Sequence, residues 1–586
     1  MTKASVATTL VLPLSLLVTL VALVSQSEAG HLLDYNDVFG PLSTSPLANV
    51  VLAALLVSTI CLGYYIAINQ TDRRSRIACF TVLVGSLLVA KYGMPIWGGN
   101  LYQSNFPDAL SHTVRGEWVA LSGGYSGPPS SLLTWQPGFW IGVAAFAEVV
   151  TGVSGPSSPV FSFLIKWSPL LLALLFLPVV YLLLKNYGVP NRILPFAILV
   201  FLGLFPSPVW LSEATGGYIL YWLFLALLPM VLRKGGAGAW VPFIMVASVI
   251  SIVHLGLALF AFVALFSALI VALLARERRI YVPKMVNAIV VFSVVWVVQM
   301  LFNAGVFVPD YLHLIEVSIA SITRSPLGVA TSAAYRSSQL YQYVIYLKVV
   351  YYVTVIVVPL VILVIASIRR TNLQLKIPLA VMTATTFAIV PLMIGLGGGF
   401  GGAGGALQYV PTTLAPFATL GFLAFASETR TAGQSHSHPR ERRKLLVLAA
   451  IGLLAITATY VCIAGANFLW YPYSENLGEQ GNQGSFILCY APIPSPCTTS
   501  AVGYQAGQFS GSPFAPQSFY LSLPAQTLEA NNAELKGYYY AYYTDSIFAS
   551  YFNFGNSSTE QAESAQAINH GDIIYSTPTT MLLLYN

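Results

Sequence analysis

Charge is what this sequence has least of: Asp, Glu, Lys and Arg together make up 8% of its 586 residues. A soluble globular chain carries about 25% charged residues, so this composition excludes that class. Cysteine is scarce as well. Of the five, Cys61, Cys79 and Cys462 lie inside apolar stretches, where a thiol behaves as a small hydrophobe, so no cysteine metal framework is built. The formal net charge of +6 comes with no recognised nucleic-acid motif or basic face. The two halves show no internal repeat, the usual mark of a secondary transporter.

What the chain has in abundance is apolar length. It is 56% hydrophobic with a mean hydropathy of +0.72, and long apolar stretches recur from end to end, as in a polytopic membrane protein. The expected spans are 7–25, 47–68, 77–97, 161–184, 191–206, 214–232, 239–253, 256–275, 285–305, 343–367, 377–396, 409–427 and 444–465. This is an all-α transmembrane bundle of about 13 helices. The stretch 136–153, "QPGFWIGVAAFAEVVTGV", opens with Pro and Gly and contains Glu148. It is expected to lie along the outer interface.

Position of charge supports that assignment. With the N-terminus cytoplasmic, most of the 27 basic residues fall on inner loops, among them Arg73, Arg74, Arg76, Lys185, Arg192, Arg233, Arg276, Arg279 and Arg370. This is the positive-inside pattern. Had 136–153 crossed, every later loop would invert, and "RERR" (276–279) would face outward. The segment "SHSHPRERRK" (435–444) reads as a basic, lipid-facing linker rather than a metal site. The first 29 residues carry both a signal-peptide pattern, with a cut after Ala29, and the length of a retained anchor.

Three units follow: N-terminal helices over 1–76, a transmembrane domain over 77–465 with outer loops 98–160 and 306–342, and an extracytoplasmic C-terminal domain over 466–586. The last is polar and Tyr-rich. "GYYYAYYTDSIFASYFNF" and "GDIIYSTPTTMLLLY" give it a β-rich expectation. Within it, "CYAPIPSPC" suits a Cys489–Cys497 disulfide in an oxidising compartment, and Asn556-Ser-Ser is a glycosylation sequon. Asn69-Gln-Thr faces inward and is not expected to be used.

Candidate chemistry gathers on the outer side. In "PDALSHTVRGEW", Asp108, His112 and Arg115 stand at i, i+4 and i+7, one face of a helix. A carboxylate and an imidazole there suit proton transfer, and a guanidinium suits a phosphate. The same spacing also describes an ordinary solvated helix face. Glu213 opens an apolar helix at the outer mouth, and His254 sits at the junction of two more. Ionisable groups at such depths are candidates for function, although a lone His often only bonds a helix end. The loop 306–342 holds Arg324, Tyr335 and Arg336, cations and a phenol able to hold a lipid phosphate, or plain loop polarity. The G-x-G-x-x-G at Gly397, Gly399 and Gly402 lies outside with no preceding strand, and is read as a loop rather than a nucleotide site.

"PDALSHTVRGEW" followed by "WQPGFWIGVAAFAEVVTG", "WLSEATGGYILYWLFLALLPMVLRK" and the His-led "VHLGLALFAFVALFSALIVALLAR" resemble GT-C-type glycosyltransferases of the archaeal kind. The likeness spans roughly residues 95–430. It implies transfer of a sugar from a polyprenyl-phosphate carrier to a lipid, glycan or protein acceptor outside the membrane, with inversion. By that resemblance Asp108 is the general base and Glu213 the second acid. His112, Arg115, His254, Arg324, Tyr335 and Arg336 then bind substrate. Phosphate leaves readily, so no cofactor is expected, and a divalent metal near Asp108 is the less favoured arrangement. Two other classes remain open: a lipid-linked glycan transporter, and a non-catalytic membrane subunit whose tail binds surface glycan.

Overall fold

The computed structural model describes residues 3–28, 46–92, 137–151, 159–205, 213–233, 235–275, 278–302, 352–369, 373–389, 410–423, 537–542, 572–576 and 580–585. Thirteen α-helices lie among them. They are α1 (Lys3–Glu28), α2 (Pro46–Asn69), α3 (Arg73–Tyr92), α4 (Pro137–Thr151), α5 (Pro159–Asn186), α6 (Leu194–Leu204) and α7 (Glu213–Arg233). There follow α8 (Ala237–Val253), α9 (Leu255–Leu273), α10 (Arg278–Phe302), α11 (Val358–Arg369), α12 (Leu373–Ala384) and α13 (Val410–Leu423). A π turn at Val353–Val357 leads into α11, and another at Thr385–Ile389 extends α12.

Twelve of the thirteen expected spans coincide with these helices, and the remaining one, 444–465, lies outside the described residues. The thirteenth helix is α4, where the interfacial segment was expected. At 15 residues it falls short of the about 20 that a straight crossing needs. Among the described residues four helices are long and apolar enough to cross a membrane by themselves: Trp167–Asn186, Ala214–Arg233, Gly256–Leu273 and Arg278–Phe302. The start of α10 is at Arg278 rather than near 285, because "RRIYVPK" winds into the helix ahead of its apolar part.

Helices begin where the sequence supplies a start. Proline opens α2, α4 and α5, where its missing N–H has no intrahelical role. Asp72 caps α3, its carboxylate accepting the backbone N–H of Ser75 at 2.8 Å and of Arg74 at 3.3 Å, along with the Ser75 hydroxyl. The Ser75 hydroxyl and then its N–H hold this carboxyl below the ordinary carboxylate range. The cap is therefore complete at neutral pH and weakens only as acid reaches that lowered value. Inside the bundle, some hydroxyls are satisfied by the preceding turn: Thr59 donates to the Leu55 carbonyl at 2.8 Å and Ser251 to the Ala247 carbonyl at 3.0 Å.

The core is aromatic. Trp222 of α7 is fully buried, with Phe176 of α5 and Phe201 of α6 edge-on to it at 5.1 and 5.3 Å. Its indole N–H donates to the Thr413 carbonyl of α13 at 3.0 Å. A second cluster joins Phe224, Phe243, Phe262 and Phe292 across α7, α8, α9 and α10. The outward positions of α10, such as Val286, Val290, Val294 and Leu301, are exposed and apolar, which suits a lipid surround and not water.

One end of the bundle is closed by cations on helix C-termini. Arg192 donates to the Ile68 carbonyl at 2.7 Å and the Ala67 carbonyl at 3.3 Å, at the close of α2. Lys284 of α10 donates to the Leu232 carbonyl at 2.7 Å, at the close of α7. Orphan carbonyls and the negative helix end are met together. Close to the chain's end, β1 (Gly537–Tyr542), β2 (Asp572–Ser576) and β3 (Thr580–Tyr585) form an antiparallel sheet in the order β1-β3-β2. The strands fall within the two stretches read as β-like. A register shift interrupts β2 between Ile573 and Tyr575.

Candidate functional site

At the end of the bundle away from Arg192 and Lys284, three helix starts converge. The meeting depends on small residues. A Cβ on Gly216 of α7 would lie 2.8 Å from the Phe139 ring of α4, and one on Gly217 would lie 2.9 Å from His254 Cβ and 2.6 Å from Leu257 Cδ1. Gly138 of α4 packs on Ile252 and Val253, the last turn of α8, where a Cβ would come within 2.8 Å of Ile252. The first turn of α7 thus touches the first turns of both α4 and α9, while the start of α4 packs on the end of α8. Each helix N-terminus carries roughly half a positive charge and N–H groups without intrahelical acceptors. Three together make a favourable place for an anion.

His254 is the hinge of this site. It ends α8 and starts α9 with a single extended residue, φ −152° and ψ 104°. Its Nδ1 accepts the Leu257 N–H at 3.1 Å, capping α9. An accepting Nδ1 carries no proton, which leaves the proton of the neutral ring on Nε2 as a donor. His254 is half-buried. The sequence expectation that a lone His here bonds a helix end is met.

His254→Ala should remove the cap and lower stability by about 1 kcal/mol. His254→Asn, whose side chain can cap, should recover most of that loss. The thermal midpoint of the detergent-purified protein measures both. Equal midpoints for Ala and Asn would show that the cap contributes little.

Glu213 is the first residue of α7, one helical turn before Gly217. Its backbone therefore belongs to the same end of the bundle as His254. Asp108, His112, Arg115, Arg324, Tyr335, Arg336, Cys489, Cys497 and Asn556 lie outside the described residues. Among the described residues no group of three His, Cys, Asp or Glu is placed to hold a metal ion. Sequence reasoning passed over Gly216 and Gly217, although "SEATGGYIL" showed two adjacent glycines beginning an apolar helix, a signal of close packing.

Taken together, these helices define a membrane-embedded helical protein. No protein-family model matches the chain, and no curated protein matches it significantly.

Proposed function

We propose that the protein is a membrane glycosyltransferase that takes a sugar from a polyprenyl-phosphate carrier on the extracytoplasmic face. The observation that carries this reading is the convergence of the α4, α7 and α9 starts around His254, at the end opposite the cationic caps. Helix starts favour a phosphate, and an end with exposed apolar helix faces beside it suits a lipid tail. The cationic end faces the cytoplasm by the positive-inside rule, which leaves the His254 end outside.

In this reading Asp108 takes the proton of the acceptor hydroxyl as its oxygen attacks C1 of the sugar. The bond from C1 to the phosphate oxygen breaks, its electron pair leaves with polyprenyl phosphate, and the configuration at C1 inverts. Charge grows on the departing phosphate, where Arg324 and Arg336 act with the helix starts. Glu213 orients the acceptor. His112, Arg115, His254 and Tyr335 complete the binding surface, His254 as an Nε2–H donor. The 466–586 segment, with its Cys489–Cys497 pair and the Asn556 sequon, stands on the same face as the transferred sugar.

The test is reconstitution of the full chain in vesicles with a radiolabelled polyprenyl-phosphate hexose and a mixed lipid and glycan acceptor fraction. Release of unglycosylated polyprenyl phosphate, dependent on acceptor, is the expected result. Labelled carrier that only changes leaflet without losing its sugar would replace this reading with transport.

A further inference from the structure

We infer that the start of α3 holds an anionic phospholipid, its phosphate on Arg73 and Arg74 and an acyl chain along the exposed apolar stripe that follows them. Four arginines surround the short turn between α2 and α3. Arg192 donates to the Ile68 carbonyl at 2.7 Å, and Arg76 donates to the Gln70 carbonyl, two residues further on, at 3.2 Å. Both guanidiniums are thereby fixed at this turn, and Arg73 and Arg74 open the helix that leaves it. These last two are exposed, and among the described residues neither has a carboxylate partner. Asp72, the acid of this turn, is committed to the cap, accepting the N–H groups of Arg74 and Ser75 and the Ser75 hydroxyl.

Helix electrostatics do not ask for this arrangement. A helix start is its positive end, and cations are favourable at the other one. Arg192, on the close of α2, obeys that rule, whereas Arg73 and Arg74 go against it. Membrane insertion asks only for cations on the inner loops, not for guanidiniums crowded around one turn. A phosphodiester resolves the conflict, because its oxygens match the planar fork of each guanidinium and its charge offsets theirs. The rest of the face marks the anion as a lipid. Ile77 lies four residues after Arg73 and three after Arg74, so it stands on the same side of α3, and Ala78, Thr81 and Val82 continue that side. All are exposed, Ile77 at 48% and Val82 at 38%. The Thr81 hydroxyl donates to the Ile77 carbonyl at 3.0 Å, which leaves the stripe apolar in character. A free anion has no use for such a stripe, and an acyl chain does. Basic pockets between helices on the cytoplasmic side are an ordinary seat for anionic headgroups. The inference is independent of the transferase reading.

Native mass spectrometry of the detergent-purified full chain tests it, with phosphatidylglycerol compared with phosphatidylcholine of the same acyl chains. The parent is expected to retain phosphatidylglycerol preferentially. Arg73→Gln with Arg74→Gln should weaken that binding about tenfold or more, the weight of two cations at an anionic surface. Lys185→Gln with Arg233→Gln removes equal charge from the closes of α5 and α7 and should leave it largely unchanged. Equal loss in the two double variants would mean a diffuse field of charge and would overturn the inference, as would equal retention of both lipids by the parent. Inorganic phosphate that displaces the lipid at equal concentration would show a free-anion site, which also overturns it. Without added lipid, the Arg73→Gln, Arg74→Gln variant should melt at or above the parent, since cations leave a helix start. A lower midpoint would mean that these arginines serve the fold instead of a ligand, and the inference would fall.

Discussion

Replacing Gly217 with leucine is expected to strip the membrane of folded protein. The new Cβ meets two neighbours at once, Leu257 Cδ1 at 2.6 Å and His254 Cβ at 2.9 Å. The first is the end of a flexible side chain, but Leu257 is itself 2% exposed and has no room to turn. The second is held by the Leu257 N–H on the His254 ring and by a single-residue link between two helices. Relief therefore requires α7 to move away from the α8–α9 junction, and overpacking of this kind costs about 1–3 kcal/mol. Gly217→Ala should cost less than leucine but more than Gly85→Ala, since a Cβ on Gly85 of α3 meets nothing within 4 Å. Monodisperse protein recovered from the membrane fraction, together with its thermal midpoint, measures the series. Equal yields for the leucine variant and the parent would show that these helices are not packed this tightly.

The second large effect is chemical. Asp108→Asn is expected to reduce sugar transfer by about 10²–10⁴-fold, the range for losing a general base, while protein levels in the membrane stay normal. The reason is specific to the charge. Asparagine keeps the size and polarity of the side chain but cannot take the acceptor's proton. The measurement is the glycan composition of surface lipids and proteins in cells carrying the variant, beside the reconstituted assay. An unchanged glycan profile would point instead to a non-catalytic membrane subunit. Glu213→Gln should impair transfer less, because its proposed part is to orient the acceptor rather than to hold a proton in flight.

Apolar runs, proline starts and charged breaks were enough to locate most of the helices. The expected pair 239–253 and 256–275 appears as Ala237–Val253 and Leu255–Leu273, with the break at His254. That break was legible because an imidazole interrupting more than thirty apolar residues is hard to accommodate in a continuous membrane helix. The three strands near the C-terminus fall where tyrosine-rich and β-branched stretches stood. Of the candidate site, Glu213 and His254 were picked out individually as rare ionisable groups. Their shared end of the bundle was inferred from topology alone, and the cap on α9 was one of two readings.

Composition and charge position settle the class of this protein by themselves, because a chain so poor in charge and so rich in long apolar runs can satisfy its backbone only as packed helices in lipid. Tertiary structure alone decided three things. Gly216 and Gly217 admit α4 and the α8–α9 junction to the first turns of α7. The Nδ1 of His254 is committed to a helix end, leaving Nε2 as the donor. Arg192 and Lys284 close helix C-termini rather than standing in solvent. None of these follows from hydropathy or spacing. Each depends on which distant segment arrives within about 3 Å, and in lipid that is set by side-chain packing and interhelical hydrogen bonds.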